Sequence, residues 1–115
     1  MILDLETIKI FIRPGQTDLR KAVNGLSVIV QETMNQYPFS GNVYLFCNRE
    51  KKLLEAVYWD KIGFWLSQKR LEKEKFPWPQ TGEEALQLNG EELMMLLKGI
   101  DFFKAHKELH YKKVV

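Results

Sequence analysis

Holding Mg²⁺ for phosphodiester chemistry requires two or three carboxylates brought to one point. Asp18 and Asp60 are candidates, with Asp101 or Glu72 as a third. The aspartates fall at the ends of expected elements, where each has a plainer assignment. Asp18 suits a helix cap, Asp60 a turn and Asp101 a helix end. His106 and His110 are spaced to share one helix face, as a metal pair would be, but no third ligand follows from spacing. Ser27, Ser40 and Ser67 lack a nucleophile-elbow context, and the glycines are too scattered for a phosphate loop. Cys47 lies inside VYLFC, where a buried free thiol is expected. The residues predict no catalytic centre, no metal site and no cofactor.

The stronger signal is electrostatic. Arg20, Lys21, Arg49, Lys51, Lys52, Lys69 and Arg70 form clusters able to neutralise phosphates, and Trp65 or Trp78 could supply a ring on which a base stacks. The net charge is only +2, so this reading depends on how the charge is distributed. The acids gather at Glu83, Glu84, Glu91 and Glu92. The expectation is that the seven cations share one face. The competing expectation is a solvated charged rim around core tryptophans. An apolar patch near Phe11, Tyr44 and Trp65 would instead suit docking on a protein partner.

These groups must be positioned by one small domain. The chain has 115 residues, 45% of them hydrophobic and 12% aromatic, as befits a folded globule. One cysteine excludes an internal disulfide. MILDLETIKI lacks the pattern of a signal peptide, and no apolar run is long enough to span a membrane. The expected compartment is the cytoplasm.

Alternation of Ile8, Ile10 and Ile12 with Lys9, Phe11 and Arg13 predicts a strand with one buried face. After Pro14-Gly15, Thr17 or Asp18 caps a helix running to about Met34, with Leu19, Ala22, Val23, Leu26, Ile29, Val30 and Met34 on its apolar face. Gly25 inside that helix costs about 1 kcal/mol relative to Ala, which close approach of a strand or partner would explain. NVYLFCN, LLEAVYW and FWLSQK predict three strands joined by charged or Gly-containing turns. ALQL predicts a short strand. Asn89 and Glu92 suggest a capping box for a short helix ending near Gly99. The expected fold is α+β, an antiparallel meander packed against one long N-terminal helix and one short C-terminal helix. Residues 1–102 would form the domain and 103–115 a basic tail or helix extension.

Five blocks then occur in a recognisable order: PGQTDLRKAVNGL, PFSGNVYLFCNR, YWDKIGF, KRLEKEKFPWP and LLKGIDF. On these the chain resembles, from about residue 8 to 102, the TnpB or Orf2-like accessory proteins encoded by insertion sequences of the sixty-six type. The resemblance implies a non-catalytic role in transposition of a bacterial mobile element. It also implies a separate, larger transposase as partner, which carries the acidic catalytic residues. The family boxes fall on Thr17, Asp18, Arg20 and Lys21; on Trp59, Asp60, Gly63 and Phe64; and on Lys69, Arg70, Leu71, Glu72, Phe76, Trp78 and Pro79. Two departures stand out. Glu74 replaces a usual glycine between two basic residues, and Ala22 replaces another glycine. The tail after Phe102 follows no firm family pattern.

Overall fold

The computed structural model describes residues 7–82 and 84–103. Five strands form one sheet: β1 (Ile10–Ile12), β2 (Val43–Cys47), β3 (Leu53–Trp59), β4 (Phe64–Arg70) and β5 (Leu86–Leu88), in the order β4-β3-β2-β1-β5. β2, β3 and β4 make the expected antiparallel meander. β1 departs from it and pairs parallel to β2, while β5 closes the other edge antiparallel to β1. The sheet is therefore mixed. The cause is the long crossover through a helix, which carries the chain back so that β2 runs the same way as β1.

Both faces of the sheet are covered, which is why VYLFC is apolar throughout. Phe11, Tyr44, Phe46 and Val57 face α1 (Ala22–Glu32), packing with Leu26, Val30 and Met34. Ile10, Ile12, Leu45, Cys47, Leu54 and Ala56 face the other way, where α2 (Gly90–Leu97) contributes Leu93 and Leu96, and the loop before β5 contributes Phe76 and Trp78. β1 thus buries both faces rather than one. Phe11 and Tyr44 are core residues, so the docking patch expected around them and Trp65 does not form. Burial among apolar neighbours pushes the Cys47 thiol up to about 12, as befits an inert core residue.

The N-terminal helix is shorter than expected. Asp18 caps only a single 3-10 turn (Leu19–Lys21), accepting the Arg20 N–H at 3.0 Å. The chain then bends at Ala22, with φ 56 and ψ −169, before α1 runs for 11 residues. That bend explains Gly25. A Cβ there would lie 2.7 Å from Lys21 Cβ, so the close neighbour is the preceding turn itself. At α2 local signals and structure agree. Asn89 and Glu92 form the reciprocal capping box. Gly99, at φ 75, closes a Schellman motif through Gly99 N–H to Leu96 O (3.0 Å) and Ile100 N–H to Met95 O (3.0 Å).

Candidate nucleic-acid interface

The seven cations converge on one end of the sheet. Thr17 N–H donates to Cys47 O at 2.8 Å, placing the turn that carries Arg20 and Lys21 beside the end of β2. Asn48 organises the next turn, its Oδ1 accepting from Lys52 N–H (3.1 Å) and Leu53 N–H (3.0 Å), so Arg49, Lys51 and Lys52 sit at the same end. β3–β4 pairing sets Leu53 opposite Arg70 and Leu54 opposite Lys69. Leu71 N–H then donates to Lys52 O at 2.8 Å, and Phe76 N–H to Lys51 O at 2.7 Å. Sequence segments far apart are thereby fixed as one basic end.

It is an end rather than a single face. Lys69 shares a sheet face with Leu54, on the α2 side, whereas Arg70 shares one with Leu53 and Glu55, on the α1 side. The expected single face is corrected by the two-residue period of a strand. Arg20 is also less available than its exposure suggests. Its Nε and Nη2 bind Asp18 Oδ1 and Oδ2 at 2.9 and 3.0 Å, and these bonds, with its backbone N–H, hold the Asp18 carboxyl at about 2.

The two tryptophans divide. Trp78 is only 6% exposed, and its Nε1–H donates to Arg13 O and Gly15 O at 3.0 and 3.1 Å. It is a core residue, too buried to serve as a platform for a base. Trp65 is 46% exposed, but its Nε1–H is held by Asp60 Oδ2 at 2.8 Å, and its ring stacks on Tyr58. It stands near the other end of β4 from Lys69, about 13 Å away at the rise of a strand.

Asp60 has a local task. Its Oδ1 accepts from Ile62 N–H (3.1 Å) and Gly63 N–H (2.9 Å), shaping the turn between β3 and β4. The Ile62 bond, aided by Trp65 and Gly63, holds its carboxyl below the usual range. Asp18 and Asp60 lie at opposite ends of β3, roughly 20 Å apart by strand rise. Among the described residues no three His, Cys, Asp or Glu side chains are grouped to hold a metal ion. Asp18 and Asp60 therefore do not share a metal centre. His106 and His110, with the tail from 104 and Glu83, lie outside the described residues.

One residue escaped notice in the sequence. Glu55, the lone acid of LLEAVYW, is 1% exposed in the middle of β3. Gln68 Nε2 donates to its Oε1, and Oε2 has no partner among the described residues. Both residues line a groove of about 630 Å³ that reaches Asp18, Arg20 and Arg49. An acid interrupting an apolar strand run was the available signal.

The sequence pattern of the family described as IS66 Orf2 like protein matches residues 8–107. The chain belongs to the IS66 Orf2-like family. It is accordingly an accessory protein of an insertion sequence. Two curated relatives come from Sinorhizobium fredii (strain NBRC 101917 / NGR234). Uncharacterized protein y4hO is 33% identical over 97 residues, covering 84% of this chain and 84% of the relative. Uncharacterized protein y4jC is 30% identical over 101 residues, covering 88% and 86%. No solved structure matches the chain. Among the described residues no helix is long and apolar enough to cross a membrane.

For this IS66 Orf2-like chain the family boxes now have physical content. Thr17 is buried, and its hydroxyl accepts from Arg13 Nη1 at 3.2 Å. Trp59 and Phe64 pack edge to face, and both rings meet Phe39. Pro79 O accepts the Gly15 N–H at 2.7 Å, and Glu72 O accepts from Lys52 Nζ at 3.3 Å. Most box residues shape turns and core. The cations among them remain at the surface.

Proposed function

We propose that this chain is a non-catalytic accessory protein of transposition that contacts DNA through the basic end of its sheet. The observation that carries the reading is the convergence of the 3-10 turn, the β2–β3 turn and the end of β4, which gathers seven cations from three distant segments. Phosphate contacts need such clustered charge even where net charge is near zero. The test is a gel shift with purified protein and insertion-sequence ends at low salt. Binding weakened by the double change Lys69→Ala and Arg70→Ala supports the reading. Absent binding, or binding indifferent to both changes, overturns it.

A second reading, docking on the element's separate transposase, is favoured by β4. It is a seven-residue edge strand exposing Trp65 and Leu66, and an edge offers unpaired backbone groups to a partner. Co-purification with the transposase from nuclease-treated lysate distinguishes the two.

A further inference from the structure

We propose that the groove over Glu55 receives a single unpaired nucleotide, whose base donates an exocyclic amino hydrogen to Glu55 Oε2; this rests on the DNA-contact reading and assigns that site its ligand. A buried carboxylate oxygen without a hydrogen bond is unfavourable, and native structures rarely keep one without a use. Glu55 is 1% exposed, its Oε1 is satisfied by Gln68, and Oε2 is left over. A buried acceptor of this kind calls for a donor.

What surrounds the oxygen decides which donor. The groove holds about 630 Å³ and reaches from Glu55 and Gln68 to Arg20 and Arg49. Arg70 flanks it beside Leu53, and Lys21, Lys51 and Lys52 lie at the same end. A partner's arginine or lysine would have to pass Arg49 and Arg70, which offset the groove's other acids, Asp18 and Glu50, while Arg20 is already paired with Asp18. A nucleotide meets no such barrier, because its phosphate pairs with the outer cations while its neutral base reaches the carboxylate. A carboxylate accepting from the cytosine amino group is an established mode of base reading. In paired DNA the second amino hydrogen stays open in the major groove, but a stacked base cannot reach a carboxylate that is 1% exposed, so the ligand is an unpaired or extruded base. Gln68 is exposed at the edge strand, and its Nε2 donates to Glu55 Oε1. With its Nε2 held by Oε1, Gln68 leaves Oε2 as the acceptor for the base.

The test measures binding of the full chain to oligo-dC and oligo-dT of equal length at low salt, by fluorescence anisotropy. These pyrimidines are similar in size; at position 4 cytosine carries an amino group and thymine a carbonyl, and thymine also carries a 5-methyl group and an N3 hydrogen. The expected result is roughly tenfold tighter binding of oligo-dC. Glu55→Gln, with folding checked by circular dichroism, should erase that preference while leaving salt-sensitive binding of both strands. With Gln68 donating to the new carbonyl, the new amide presents N–H in place of an acceptor. Equal binding of the two strands by the native protein overturns the proposal without recourse to any variant, and so does a preference that survives Glu55→Gln. A Glu55→Gln protein that keeps its preference but loses the transposase in a pull-down would assign the groove to a protein side chain. No binding to either strand overturns the DNA-contact reading as well.

Discussion

Lys21 Cβ stands 2.7 Å from where a Cβ on Gly25 would lie. The contact arises because the bend at Ala22 folds the 3-10 turn against the first turn of α1. An alanine in an unobstructed helix interior would stabilise by about 1 kcal/mol relative to glycine. Here the clash is with the base of a side chain, which cannot rotate away, and overpacking costs about 1–3 kcal/mol. Gly25→Ala should therefore lower stability by about 1 kcal/mol, read as a lowered urea midpoint. A raised midpoint would show that the turn yields without cost.

The reverse effect is expected one turn earlier. Ala22 holds φ 56 and ψ −169, a region that glycine enters freely and side chains rarely do. Strain of this kind is worth about 1–3 kcal/mol, against about 0.5–1 kcal/mol lost to the greater freedom of glycine when unfolded. Ala22→Gly should raise stability by about 1 kcal/mol. A lower urea midpoint for this variant would remove the strain argument.

These two positions show where sequence reading stops. The meander, the α2 capping box and the Gly99 terminus rest on neighbours within a few residues, and all three were legible. Ala22 fits the helical three-and-four spacing, so nothing local marks the bend. Three residues of β1 specify burial but not whether the partner strand runs parallel. The tryptophans differ only in position: Trp78 follows a chain that turns under the sheet, while Trp65 alternates outward on an edge. The basic end was legible as cations but not as geometry, since register decides that Lys69 and Arg70 point apart.

Acid should weaken the Asp18 contact in a defined window. Its carboxyl sits at about 2 when folded, against 3.8 ordinarily. A depressed folded value means that the contribution is complete above about pH 4 and is lost as pH falls from there through about 2. Asp18→Asn should thus show a stability deficit at neutral pH that narrows below pH 4 and closes near pH 2. Urea unfolding at a series of pH values checks this, and a deficit constant across the window would rule out the carboxylate as its source.

Trp78→Phe should act on stability and not on DNA. The change strands the Arg13 and Gly15 carbonyls that now share the indole N–H, and a buried polar group left unpaired costs about 1–3 kcal/mol. Equilibrium unfolding should show that loss. Affinity for DNA, measured well below the unfolding temperature, should match that of the native protein. Weaker binding by the folded variant would restore the ring to the interface.

Lys69 and Arg70 should contribute unequally to DNA binding. A duplex is too stiff to fold around one strand edge at low cost, so a surface on one side of the sheet engages one of the two residues. Arg70 lies on the side of Leu53 and Glu55, where the groove opens toward Arg49. Lys69 lies with Leu54 on the α2 side. Arg70→Ala should lower the slope of log affinity against log salt by about 0.9, the value of one phosphate contact, and Lys69→Ala by much less. Asp18→Asn should act in the opposite sense, because it releases Arg20 from a two-point ion pair and removes a negative charge beside the groove. Its slope should steepen by up to about 0.9 as Arg20 gains a phosphate. Titrations across a salt series read all three variants together. Equal losses at Lys69 and Arg70 would move the interface from the groove side to the β4 edge itself.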